Sequence, residues 1–425
     1  MTMTVSQIIS LVVDNFRSEL WRDVLSMLLT ASPVFLAVVL FYLFWDLWLN
    51  YVRSKFYLST PHVVLELKLP KDTYKSPLAM ETFLQSLHNS SDGNKFLQYW
   101  KGESRPWYSL EIVSIEGAVK FFIWTEEQRK AGLMSALYSQ YPGIEIYERE
   151  DYTRSVHFDS KVLRIWAAEF KFTKDDAYPI KTYVDYGLDK DPKEEYKVDP
   201  LAPVLEFLGS VPPNQQVWIQ YIIMAHKKRK KPGSILKNTD LWEDHAKKIV
   251  NEILVRNAKT KVAGTRDEKT GFTKLPTISE GEKNIVAAIE RGLLKHSFDV
   301  GIRTLYIAPK ESFDTPFGMG GIISSFKHFS SGQLNGFKTN GDVWHSRLDY
   351  PWQDFKNMRR NRYGRLALSA YKFRSYFFPP FVGKPLVLNT EELATMYHFP
   401  GSVAATPTLE RVPSKKAQAP ANLPV

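Results

Sequence analysis

From Val24 to Trp45 the chain reads VLSMLLTASPVFLAVVLFYLFW, 22 residues without a formal charge. At about 1.5 Å per residue a helix of that length covers about 33 Å, enough to cross the hydrocarbon core of a bilayer. No other feature restricts the fold as much. Such a segment either spans a membrane or lies inside a protein core, and a core helix shows a polar stripe that Ser26, Thr30 and Ser32 are too mild to make. A membrane span is therefore expected, with the rest of the chain held beside one membrane face. Pro33 is compatible with a span, because a helix in lipid accepts proline where a neighbouring group takes up the freed carbonyl. A cleaved signal peptide is disfavoured. The preceding residues carry mixed charge (Asp14, Arg17, Glu19, Arg22, Asp23), and no small-x-small cleavage site follows.

Residues 1–23 place Ile8, Ile9, Val12, Phe16 and Leu20 at helical spacing, the pattern of an amphipathic helix lying on the interface. Residues 24–56 form the anchor and its juxtamembrane segment, with Trp21, Trp45, Trp48 and Tyr51 as aromatic edges and Arg53 and Lys55 as the first cations beyond. Arg53, Lys55, Lys68, Lys71 and Lys75 follow the span, whereas only Arg17 and Arg22 precede it. Basic residues resist translocation, so a single-pass membrane protein with its C-terminal body in the cytoplasm is expected. The absence of cysteine agrees with a reducing compartment.

The body reads as α+β. Within residues 57–158, Val63, Leu65, Leu67 and Leu69 alternate with Val64, Glu66 and Lys68 as a half-buried strand does. Ser76-Pro77 opens a helix, Trp107–Ile115 and Ala118–Trp124 flank a Glu116-Gly117 turn, and Thr125-Glu126-Glu127-Gln128 reads as a capping box for a second helix. With a last strand from Gly143 to Glu148 the order is βαββαβ, a ferredoxin-like plan. Residues 159–335 repeat part of it. Strands are expected over Val162–Phe172, Val217–Met224 and Phe298–Ala308, with an inserted helix near Asp240–Arg256 and a helix capped by Ser279 and Glu282. The two segments are read as tandem, diverged ferredoxin-like units. Residues 336–400 hold a basic and aromatic segment with a short helix at Asn389–Tyr397, and residues 401–425 form a Pro- and Ala-rich tail.

Sequence signatures of catalysis are missing. There is no G-x-x-x-x-G-K-[ST] to cradle nucleotide phosphates, and no H-E-x-x-H or paired His/Cys spacing for zinc. Gly318-Met319-Gly320-Gly321 lacks the glycine a dinucleotide fingerprint needs at Ile323 and reads as a packing turn. Glu126-Glu127 and Glu391-Glu392 fall in first turns of expected helices, where the dipole favours negative charge. No catalytic residue, cofactor or metal is therefore assigned. A formal net charge of +10 leaves two basic clusters as candidate contacts to lipid head groups or nucleic acid. One is Lys227, Lys228, Arg229, Lys230 and Lys231. The other is Arg359, Arg360, Arg362, Arg365, Lys372 and Arg374, among Tyr363, Tyr371, Phe373 and Tyr376. The competing reading of the second cluster is a strand, with Tyr371 and Phe373 packed and Lys372 and Arg374 solvated.

Four blocks carry a family resemblance: LELKLPKDTYKSPLAMETFLQSLH, WYSLEIVSIEGAVKFFIWT, EGEKNIVAAIERGLLKHSFDVGIRTLYIAPKE and LNTEELATMYHFPGSVAATPTLERVPSKKAQAPANLP. Together they resemble the membrane-anchored N-terminal region of bacterial type IV secretion, or conjugative DNA transfer, ATPases. In longer family members a P-loop ATPase domain continues beyond the region matching the final Pro and Leu, whereas this chain ends at Val425. The resemblance therefore implies a non-enzymatic membrane scaffold, an uncharacterised domain that recruits a separately encoded P-loop secretion ATPase or other secretion components and self-associates as a homo-oligomer. The alternative is a membrane-tethered nucleic-acid-binding module.

Overall fold

The computed structural model describes residues 5–70, 75–91, 93–189, 198–227, 229–230, 238–239, 241–260, 279–341, 350–400 and 411–412. It divides into two compact units, Met1–Ser59 with Gly93–Ser104, and Thr60–Asp92 with Arg105–Val425.

The first unit is built on one helix, α1 (Val5–Ser59), which runs through Pro33. The sequence suggests an interfacial helix up to residue 23 and a span after it, but the backbone joins them without a break. Proline leaves the Leu29 carbonyl without its usual amide donor. The Ser32 hydroxyl donates to that carbonyl instead, at 2.8 Å. Ser26 and Thr30 likewise return their hydroxyls to the carbonyls of Asp23 and Ser26, so the mild polar groups of the apolar stretch are satisfied inside the helix. Among the described residues, one helix is long and apolar enough to cross a membrane, and it is this one. Near its end the Trp48 indole N–H donates to the Tyr99 carbonyl at 3.0 Å, and Trp45 and Trp48 pack on Tyr99 and Trp100. Of the expected aromatic edges, Trp21 and Tyr51 are exposed while Trp45 and Trp48 are half-covered. Gly102 closes the Leu97–Lys101 turn at φ +78°, where any Cβ would collide with the Val52 carbonyl.

The second unit begins with β1 (His62–Pro70), α2 (Leu78–Ser86), β2 (Trp107–Ile115), β3 (Ala118–Glu126), α3 (Lys130–Gln140) and β4 (Glu145–Arg149). Next come β5 (Leu163–Phe172), α4 (Ala202–Gly209), β6 (Gln216–Ala225), the short pair β7 (Arg229–Lys230) and β8 (Asn238–Thr239), and the helices α5 (Leu241–Thr260) and α6 (Glu280–Leu293). The remainder is β9 (Ser297–Pro309), α7 (Gly321–Phe326), β10 (Phe337–Thr339), α8 (Met358–Phe373), β11 (Leu386–Asn389), α9 (Thr390–Met396) and β12 (Arg411–Val412).

Pairing makes one sheet from both halves. The strands lie in the order β4-β1-β3-β2, every pair antiparallel. The later strands lie in the order β6-β9-β5-β10, again antiparallel. The second series therefore repeats the first in mirror sequence, with β5, β6, β9 and β10 standing where β1, β2, β3 and β4 stand. The halves join edge to edge through β2 and β6 around the opposed pair Glu111 and Gln220. β11 adds to β9, and β12 runs parallel to the end of β1.

Strand alternation sends one set of side chains to each face. Leu65, Leu110, Phe121, Ile219, Val300 and Phe170 meet Phe83, Leu137, Leu205 and Phe326 from the helices in one continuous core. On the other face α8 packs over β5 and β9, with its Gly364, Ala367, Leu368 and Tyr371 buried at helical spacing. Its arginine-rich segment is thus a helix and not the strand that the alternation of residues 371–374 allows. The expected box at Thr125–Gln128 is also not formed. Thr125 and Glu126 end β3, a short 3-10 turn covers Glu127–Arg129, and Glu126 accepts from the side chains of Gln128 and Arg129. The boxes at Ser279/Glu282 and Asn389/Glu392 are formed.

Candidate functional site

On the sheet face that carries α8, a row of side chains crosses six adjacent strands: Glu66, Phe122, Glu111, Gln220, Arg303 and Glu169. Ordinary alternation puts them on the same face, and the pairing register aligns them. Arg303 donates from Nε to Glu169 at 2.9 Å, and from Nη1 to the carbonyls of Ala370 (2.9 Å) and Ser375 (2.8 Å). Gln220 donates to Glu111 at 3.0 Å and to the Tyr371 carbonyl at 3.2 Å. The last carbonyls of a helix lack intrahelical donors and carry partial negative charge. Here the sheet supplies those donors, which fixes the C-terminus of α8 over the row.

Arg374 follows α8 at φ 48° and is 1% exposed. Its Nε lies 2.9 Å from Glu111 and its Nη1 2.5 Å from Asp151, and the Trp107 indole donates to its carbonyl at 3.1 Å. Burial by itself lowers the Arg374 pKa, but Glu111 and Asp151 outweigh it and raise it well above the usual value. The same contact holds Asp151 below its usual range against the opposing effect of burial. Tyr152 donates to Glu111 at 2.8 Å and lies 2.9 Å from the Tyr371 hydroxyl. Burial, with the Glu111 carboxylate nearby, pushes both phenols well up.

The structure therefore separates the sequence-predicted cations. Arg374 is internal. Lys372 is half-buried and donates to the Val156 carbonyl at 2.6 Å. Arg359, Arg360, Arg362 and Arg365 are exposed on α8, with Arg365 over the Phe158 ring. In the other cluster Lys227 is half-buried, Arg229 and Lys230 form β7, and Lys228 and Lys231 lie outside the described residues.

The paired carboxylates have structural partners. Glu391 meets Arg291 at 3.1 Å and Lys295 at 2.8 Å. Glu392 closes its capping box and accepts from the Ile180 amide at 2.9 Å. Burial raises its pKa to about 8. Gly318 and Gly321 lie flush against the Tyr306 and Phe207 rings, where a Cβ would collide, so this stretch is a packing turn. Among the described residues no group of three or more His, Asp or Glu is placed to hold a metal ion.

Glu111, Gln220, Arg303 and Asp151 are absent from the sequence-predicted site. For Glu111, Gln220 and Arg303 the signal is a charged or amide side chain near the centre of a largely apolar strand, as in WYSLEIVSI and QVWIQYIIMA, whereas Asp151 caps the short turn after β4 and carries no such signal. A buried polar group needs a partner, but the partners here come from strands and a helix far away in sequence.

Fold and site define a mixed helix and strand protein with an apolar N-terminal helix and a charged layer sealed between an antiparallel sheet and a covering helix. The chain belongs to the family described as a domain of unknown function, DUF8128, whose sequence model matches residues 54–410. No curated protein matches the chain.

Proposed function

We propose that this protein is a single-pass scaffold of the inner membrane, its body in the cytoplasm, which assembles with a separately encoded P-loop ATPase of a type IV secretion or DNA-transfer machine. In this reading the body is two ferredoxin-like βαββαβ units in tandem, acts without catalysis of its own, and offers its outer surfaces to the ATPase and to further copies of itself.

The observation that carries the proposal is the repeated strand order, β4-β1-β3-β2 continued by β6-β9-β5-β10. It is what two split βαβ units would give if fused through their equivalent edge strands. The acidic side chains that could serve acid-base chemistry, Glu111, Glu169, Glu391 and Glu392, are each engaged in internal ion pairs or caps, which suits an assembly role. The anchor reading is supported by α1, its orientation by the basic residues after the span, and the ATPase partner by the four sequence blocks.

The test is a pull-down of tagged full-length protein from its native membranes in detergent, with mass spectrometry. A P-loop ATPase is expected in the eluate. Repeated recovery of no ATPase and no other secretion component would overturn the proposal, and nucleic acid recovered alone would favour the tethered binding module, with Arg359, Arg360, Arg362 and Arg365 as its contacts.

A further inference from the structure

The approach to α8 combines features that do not serve the fold. Trp352 is 75% exposed, Phe355 69% and Met358 65%. Tyr350 stacks on Trp352 with ring centroids 4.6 Å apart. Lys356, Arg359, Arg360, Arg362 and Arg365 are exposed in the same stretch. Its carboxylate, Asp354, is buried, accepts from the Arg359 amide at 2.7 Å and lies 3.6 Å from the Arg360 guanidinium. Among the described residues no carboxylate pairs with Arg359 or Arg362. Cations in the first turns of a helix oppose its dipole. Just ahead of them Lys356 (φ 50°) and Asn357 (φ 58°) hold consecutive left-handed conformations, which non-glycine residues adopt at a cost. Apolar groups in water, cations at the unfavourable helix end and a strained loop fit together if the surface has a ligand that is both apolar and anionic.

We propose that residues 350–365 are a membrane-docking tip. Trp352, Phe355 and Met358 enter the interfacial layer of the bilayer, while Lys356, Arg359, Arg360 and Arg362 bind the phosphates of anionic phospholipids. Aromatic side chains settle at the boundary between head groups and acyl chains, and clustered Arg and Lys are drawn to an anionic leaflet. A phosphate backbone alone would answer the arginines but leave Phe355 and Met358 in water, which favours lipid over nucleic acid. The proposal rests on the anchor reading, because α1 in a bilayer would keep the tip at high local lipid concentration.

The chain lacks cysteine, so Trp352→Cys carries a single environment-sensitive NBD label in full-length protein reconstituted into vesicles. Blue-shifted emission and quenching by doxyl lipids are expected in vesicles rich in phosphatidylglycerol and not in pure phosphatidylcholine. Arg359→Glu with Arg362→Glu should lower the quenched fraction roughly tenfold. A label at Ser139→Cys, exposed on α3 on the opposite face of the sheet, should stay unquenched. A Trp352 label that stays in water in both vesicle types, or that responds to an added DNA oligonucleotide and not to lipid, overturns the tip. Alkaline carbonate extraction of the same samples reports the anchor separately. Anchored protein with an unquenched label overturns the tip alone, and extractable protein with a quenched label upholds the tip and removes the anchor.

Discussion

Arg374 is held between Glu111 and Asp151 with almost no solvent contact. Removing the guanidinium leaves a carboxylate buried and uncompensated, so Arg374→Met should destabilise the protein by about 3–5 kcal/mol. Thermal denaturation in detergent, followed by circular dichroism, reads this directly. Adding Glu111→Leu should recover only part of the loss, because it removes one uncompensated carboxylate but leaves Asp151 without its arginine and Gln220 and Tyr152 without their acceptor. Local pattern could not have revealed this role. Lys372 and Arg374 alternate with Tyr371 and Phe373, as an exposed strand edge would, and only the turn after α8 directs Arg374 inward.

At the scale of elements, the turn leading into α7 illustrates what a glycine run can conceal. Gly318 faces the Tyr306 ring, which is itself pinned by its hydroxyl to Gln215 at 2.8 Å, whereas a Cβ on Gly320 meets nothing. Gly318→Ala should therefore cost about 1–3 kcal/mol, while Gly320→Ala should be neutral or stabilise by up to about 1 kcal/mol. Chemical denaturation of the two variants side by side tests the contrast. The cap at Ser279 was legible because its partner Glu282 lies within one turn of the same helix, and the structure closes a like box at Asn389. The box expected at Thr125 fails because strand pairing extends β3 through Glu126 and engages the residues the cap would need. Tertiary hydrogen bonding overrides local preference there.

For the whole molecule, stability should depend on pH in two opposed ways. Burial against Trp124 lowers His62 to about 4, and burial beside His296 lowers His88. In both cases the unfolded chain takes up protons more readily than the fold as pH falls below about 6.5. The His62 contribution is complete above about 6.5 and lost as pH falls toward 4, and His88 acts in the same direction. Glu392, raised to about 8, behaves in reverse, and its contribution is lost as pH rises from about 4.5 to 8. Melting temperatures from pH 4 to 9 should show His62→Phe reducing the acid loss, and Glu392→Gln removing the alkaline decline while keeping the acid loss.

The apolar helix, the strands β1 to β6 and β9, and most helix starts were set by the sequence itself, through periodicity, charge-free length and caps that act within a few residues. Even the proline in α1 was accommodated locally, by the serine beside it. Tertiary structure alone decided that β2 and β6 pair, that the two halves share one sheet, and that α8 packs over β5 and β9 on its second face. Those choices determine which cations are buried and which reach water, because a charge is withdrawn only when carboxylates and carbonyls from distant segments converge on it. Arg374 and Arg303 meet that condition and Arg359 and Arg362 do not, a difference that composition and spacing do not carry.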